Sequence, residues 1–285
     1  MITRSARHRT CDATQYVGWS SRQRIGLITE LSRARKVNEI WLTGWGCLLE
    51  RLEHFCVIEN QNFSEYNAVY DVAEPKYVPA AVEQTGRIKG ILYLPRETEF
   101  VDARKGLLDT GWQSVLRSET VVSSIANGSR RSDPLISLEA VEEQSLDFWV
   151  RLYHSNYGMA KELLEPNRRR WEVAFWSEPA IHFYFVIVDG ETVGTVQLVA
   201  PRNDFCGIYS LTVRDHRNGI LVLRAIARTL IVESIHLGAM WICYERLRHI
   251  KREPGPLTLI PAVTRWCGAE WQTLSQDIGY KMPKG

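Results

Sequence analysis

The chain has 285 residues, enough for one large domain or two modest ones, and at about 100 to 200 residues per domain two is the better expectation. Hydrophobic residues at 45% and charged residues at 24% exclude a disordered, collagen-like or low-complexity chain. The 35 Lys and Arg against 33 Asp and Glu leave a net charge of +2, so a polyanion could be met only by a local patch.

The first half opens with helices. Ser21 to Arg35 carries Ile25, Leu27, Ile28 and Leu31 at a helical period, and Leu48, Leu49 and Leu52 suggest a second helix. Phe55 to Glu59 and Tyr66 to Val72 read as strands, Tyr77 to Lys89 as a helix, and Gly90 to Leu94 as a short apolar strand. Phe100 to Asp109 is helical and stops at Gly111, and Trp112 to Ile125 alternates like a strand. The run Ala126 to Pro134, small, charged and turn-forming, marks a linker between a domain of residues 1–125 and one of residues 135–285.

The second half repeats the order with stronger signals. Leu146 to Leu164 and Arg168 to Ser177 are helical, and His182 to Val188 is a strand that turns at Asp189-Gly190 into Thr192 to Ala200. Asn203-Asp204 turns again into Cys206 to Val213, and Gly219 opens a long amphipathic helix. Leu257 to Val263 reads as a strand, Thr264 to Asp277 as a helix, and Gly279-Tyr280 as extended chain. The strand at Leu211 to Val213 and the strand at Leu257 to Val263, joined through a helix, are expected to run parallel and diverge at one end. The fold class is α+β, with a mixed, mostly antiparallel sheet flanked by helices in each half.

Cysteines at positions 11, 47, 56, 206, 243 and 267 have no CxxC pair or zinc spacing, so no metal is expected and a reduced, cytoplasmic protein fits best. Met1 to Arg9 is basic without a following apolar run, unlike a secretory leader, and no stretch of about 18 apolar residues suggests a membrane span. The basic run Arg246 to Arg252 lies in an apparent insertion between Leu237 and Pro256; it reads as a solvated helix face or as a grip on a phosphate-rich donor.

The segment Gly207 to Ile220 carries the chemistry. A strand runs into a basic turn, Arg214-Asp215-His216-Arg217-Asn218-Gly219, that opens a helix followed by Val222, Leu223, Ile226 and Ala227. Such a turn presents unpaired backbone N–H groups and the positive end of a helix dipole to an anion, with Arg214 and Arg217 as added donors.

With Asp189 to Thr195, Leu211-Thr212-Val213, the basic turn and Leu274-Ser275-Gln276-Asp277-Ile278-Gly279-Tyr280 in order, residues from about 135 to 285 resemble the GNAT acyltransferase superfamily. The resemblance implies that the strand ending at Leu211-Thr212-Val213 splays from its neighbour and binds the pantetheine arm of acyl-CoA. It further implies that Arg214, Arg217, Asn218, Gly219 and Ile220 seat the donor's phosphates. The turn departs from the family pattern: with Gly219 at the last glycine, Arg217 stands at the middle one, and the alternative register puts Leu221 where a small residue belongs.

The tyrosine that serves the family as general acid is here Ser275, a poorer acid than a phenol. Asp204 and Tyr209 are the nearest candidates for the base. Residues 1–125 look like a fainter copy, a degenerate GNAT-like domain with Ala73-Glu74-Pro75 where a phosphate turn would be needed, as in tandem-GNAT proteins.

The resemblance thus implies an N-acyltransferase that passes an acyl group from acetyl-CoA or another acyl-CoA to the amine of a small-molecule acceptor. Two alternatives stay open: an amide-forming enzyme using an acyl carrier protein or aminoacyl-tRNA as donor, and a non-catalytic binding module.

Overall fold

The computed structural model describes residues 21–44, 46–60, 67–125, 134–202, 204–214, 219–249 and 271–282. In chain order the first half contains α1 (Ser21–Gly44), β1 (Leu48–Arg51), β2 (Cys56–Glu59), β3 (Ala68–Tyr70), α2 (Val78–Ile88), β4 (Ile91–Pro95), α3 (Val101–Asp109) and β5 (Gln113–Ser124). The second contains β6 (Ile136–Ala140), α4 (Leu146–Tyr157), α5 (Leu164–Ser177), β7 (Ile181–Val188), β8 (Glu191–Val199), β9 (Phe205–Val213), α6 (Gly219–His236), β10 (Trp241–His249) and β11 (Trp271–Lys281).

All the strands among the described residues join one 11-stranded sheet in the order β1-β2-β3-β4-β11-β5-β10-β9-β8-β7-β6. Among the described residues each half holds one parallel pair, β3 with β4 and β9 with β10, among otherwise antiparallel neighbours. The last strand of each half crosses to the other: β5 pairs with β10, β11 pairs with β4, and β5 and β11 pair with each other at the centre. The architecture is α+β, as the sequence implies.

Local chemistry accounts for most boundaries. Asp189 and Gly190, at φ 50° and 79°, make the left-handed two-residue turn that matches strand twist and returns β7 into β8. Gly158, at φ 62°, ends α4 by letting its own N–H and that of Met159 reach the last turn's carbonyls, which splits the expected Leu146–Leu164 helix.

One face of the sheet carries α1, α4 and α5 over a core built on Trp149, Trp171, Phe183 and Phe205. The other face carries α6, which lies nearest β6 and shares a core with β7 to β10, and α2 over β3 and β4, with α3 beside β5. Helix α1 lies across β5, β9, β10 and β11, so a helix of the first half covers strands of the second.

Four expectations need correction. Leu48 to Leu52 is not a second helix: α1 runs on to Gly44, and Leu48–Arg51 pairs with β2 from Leu48↔Glu59 to Arg51↔Cys56. Arg246 to His249 of the basic run are strand rather than helix, continuing β10 against β5, and residues 250–252 of it lie outside the described residues. Residues 271–277 are strand rather than helix, held by β5 on one side and, at Asp277, by β4 on the other. The parallel partner of the Leu211–Val213 strand is Trp241–His249. The segment Leu257 to Val263 lies outside the described residues, as does all of the linker but Pro134. Strand β6, which no sequence pattern marks, pairs on β7 as an edge.

Candidate active site at a splayed strand pair

Strands β9 and β10 pair over three positions, Phe205↔Trp241, Cys206↔Ile242 and Gly207↔Cys243. Beyond them β9 follows β8 and β10 follows β5, so among the described residues no pairing crosses the gap from Tyr209 onward. The cause lies in β9 itself. Ser210 sits at φ 50°, in the left-handed region, and the register against β8 slips between Thr195 and Gln197. The extra residue resets the alternation: Ile208 and Leu211, three apart rather than two, both face the α6 core. The bulge bends β9 away from β10.

On the face covered by α1 and α4 a buried polar network surrounds the bulge. Thr195 Oγ1 and Thr212 Oγ1 lie 2.8 Å apart, and Asn156 Nδ2 of α4 donates to Thr212 Oγ1 at 3.1 Å. Ser210 Oγ donates to Gln197 Oε1 at 2.7 Å, and Trp41 Nε1 of α1 donates to the same oxygen at 3.0 Å. The Trp41 indole stacks on Tyr209, with ring centroids 4.6 Å apart. Close approach fixes two glycines beneath this network: a Cβ on Gly194 would overlap the Thr212 carbonyl, and one on Gly207 would strike Val37 and the Tyr209 ring. The polar network and Trp41 carry no motif in the sequence; only the long-range approach of α1 to β9 brings them together.

Of the residues expected to bind a donor, Leu211, Thr212 and Val213 form the splayed end of β9, and Arg214 follows, exposed, with its N–H on the Val193 carbonyl at 2.6 Å. Gly219 and Ile220 begin α6. Arg217 and Asn218 lie outside the described residues.

The catalytic candidates are not gathered in one place. Tyr209 stands where the splay begins. Asp204 sits at the closed end of the pair, where its carbonyl holds the N–H groups of Met240 and Trp241 and its carboxylate lies 3.7 Å from Arg33. Ser275 is on β11, with β5 and β10 between it and β9, and donates to Thr120 Oγ1 at 3.0 Å. At about 4.8 Å per strand that is roughly 14 Å away.

The parallel pair of the first half is built differently. β3 and β4 pair at Ala68↔Ile91 and Val69↔Leu92 before Asp71, at φ 57°, turns β3 away. Here the chain's own charges gather: Arg35 pairs with Asp71 and lies 3.9 Å from Asp277, and buried Glu39 pairs with Arg51 and accepts from Tyr70 at 3.2 Å. Burial, and then Glu39, push the Tyr70 phenol up. Burial drives the Asp277 carboxyl up to about 6 against the pull of Arg35, with Asp71 and Glu97 adding to the rise. The next helix, α2, has a proline in its first two positions, which removes one of the N–H groups an anion would need.

No protein-family model matches the sequence, and no curated protein does. Solved structures do match. A GCN5-related N-acetyltransferase from Kribbella flavida superposes with TM-score 0.57 at 14% identity, covering 88% of this chain and 96% of its own. Another from Sphaerobacter thermophilus gives 0.58 at 12% identity, covering 80% and 76%. A functionally unknown conserved protein from Staphylococcus epidermidis gives 0.55 at 9%, covering 81% and 92%. The fold is therefore that of the GCN5-related N-acetyltransferases, the GNAT fold that the motifs of the second half imply.

Proposed function

We propose that the chain is a tandem GNAT-like N-acyltransferase whose second half takes an acyl-CoA, acetyl-CoA or another, and passes the acyl group directly to the amine of a small-molecule acceptor. The observation that carries this reading is the bulged strand β9 parting from β10 next to the start of α6. A strand edge freed in this way offers backbone donors and acceptors to an extended amide-bearing arm such as pantetheine. That two of the superposed structures are N-acetyltransferases supports the activity class.

In the reaction the amine nitrogen attacks the thioester carbonyl carbon. The C–N bond forms as the C–S bond breaks, the nitrogen loses a proton, and the CoA thiolate gains one. In this reading a backbone N–H near Leu211 or Thr212 meets the oxygen as it gains charge, a donor fixed before the reaction begins. Tyr209 is the titratable candidate at the splay; Asp204 and Ser275, held away from it, carry no step in this proposal.

The first half, with charged side chains in its own splay and a proline at the start of α2, supplies shape rather than a donor site. The basic turn from Arg214 to Gly219 is assigned the phosphates from its sequence. Replacing Arg217 with Ala should weaken donor binding by about 1.5 to 3 kcal/mol, roughly 10- to 150-fold, with little effect on the acceptor.

Thermal-shift titration of the full chain with CoA, acetyl-CoA and a phosphopantetheinylated carrier protein tests the donor. A rise with CoA and acetyl-CoA is expected, about 2.7 kcal/mol of added stability at a hundred times Kd. A response to the carrier alone would move the donor to a carrier-bound thioester, and no response to any of them would sink the reading.

A further inference from the structure

We infer that Gln197 binds the acceptor, its side-chain N–H group donating to an oxygen that the acceptor carries near its amine. The inference rests on the acyl-transfer reading above and adds to it the class of substrate.

Gln197 lies on β8 opposite Tyr209 and is wholly buried, at 0% exposure. Its Oε1 accepts from both Ser210 Oγ and Trp41 Nε1. An indole N–H only donates, so the oxygen must face Trp41, and the amide cannot be turned over. That leaves Nε2 and its two hydrogens on the other side, where they meet no partner among the described residues. Buried amide donors are rarely left unmet, because the unmade bond costs free energy and an apolar side chain of similar size would avoid it. The amide end is held at Ser210, the bulge where β9 leaves β10.

Sidedness gives the missing partner its identity. Leu211 and Val213 pack on α6, so the helix whose start is assigned the donor's phosphates lies on one face of the sheet. The acceptor must then approach the thioester carbonyl from the opposite face, the one covered by α1 and α4, where Tyr209, Thr212 and the Gln197 amide are found. An uncharged N–H pair there suits a carbonyl, carboxylate or hydroxyl oxygen and adds nothing for an amine without one. Because Trp41 fixes the amide, the first half takes part in the selection.

The test uses the full chain saturated with CoA, which cannot acylate, and three amine probes: D-glucosamine, L-phenylalanine and n-butylamine. The side-chain NH2 resonances of Gln197, assigned by their loss in Gln197→Leu, report contact directly. The expected result is that an oxygen-bearing amine shifts them and binds at least roughly tenfold more weakly to Gln197→Leu and Gln197→Glu. n-Butylamine, in contrast, should bind all three proteins alike, a contrast that a merely structural role would not produce. Gln197→Glu keeps an acceptor for Trp41 and Ser210, so the question stays answerable if the leucine variant fails to fold. Equal affinity of the oxygen-bearing amines for wild type and both variants would overturn the inference, as would CoA binding with no probe moving the Gln197 resonances. Failure of CoA itself to bind would remove the acyl-transfer reading and this inference with it.

Discussion

Gly194 shows how much of the site depends on single residues that no motif singles out. Its missing Cβ lets the Thr212 carbonyl approach β8 just beyond the bulge. Gly194→Ala should therefore cost about 1 to 3 kcal/mol, since neither strand can retreat without breaking its ladder. Gly106, in α3 with open space around it, is the control: Ala there should add about 0.5 to 1 kcal/mol by removing backbone freedom from the unfolded chain. Urea denaturation of both variants reads the contrast, and equal effects would show that the close approach at Gly194 is easily relieved. Leu211 to Val213 are legible in the sequence because a strand, a basic turn and a helix adjoin there. Trp41 and Gln197 are not, being 156 residues apart and meeting only through the path of α1.

Among the elements, those with local signals were legible and those defined by partners were not. The Asp189-Gly190 turn and the glycine that ends α4 act within a few residues. β10 is different: Ile242, Cys243 and Tyr244 are all buried, so no alternation marks it, and its charged end reads like a solvated helix. β11 lacks a clear period for a similar reason, being a central strand with a register slip between Thr273 and Ser275. This strand carries Asp277, whose folded pKa of about 6 stands above its ordinary 3.8, chiefly through burial. A raised folded pKa means that the proton favours the folded state, and that stabilisation is full below about pH 4 and lost as pH rises through 6. Asp277→Asn, which stays neutral, should be more stable than wild type at pH 7 by about 1 to 3 kcal/mol and match it near pH 4. Denaturant midpoints at the two pH values check this, and a variant less stable at pH 7 would show that the contact with Arg35 outweighs burial.

At the scale of the molecule, the two halves share their last strands. Neither sheet is complete without the other, because β5 lies between β10 and β11, and β11 lies between β4 and β5. The division at the linker describes the order of motifs along the chain, while the exchange of strands, which pairs residues such as Ser275 and Thr120 across it, has no sequence signal. Such sharing predicts a single cooperative unfolding transition, with equal calorimetric and van't Hoff enthalpies; two separate transitions would mean that the halves are stable alone. A thioester donor seated where β9 parts from β10 would shield the backbone there. Amide hydrogen exchange of the full chain with and without acetyl-CoA reads that shielding residue by residue. Protection should appear at Leu211 to Val213 and the start of α6, and not at β3 and β4; no protection, or protection centred on the first half's parallel pair, would contradict it.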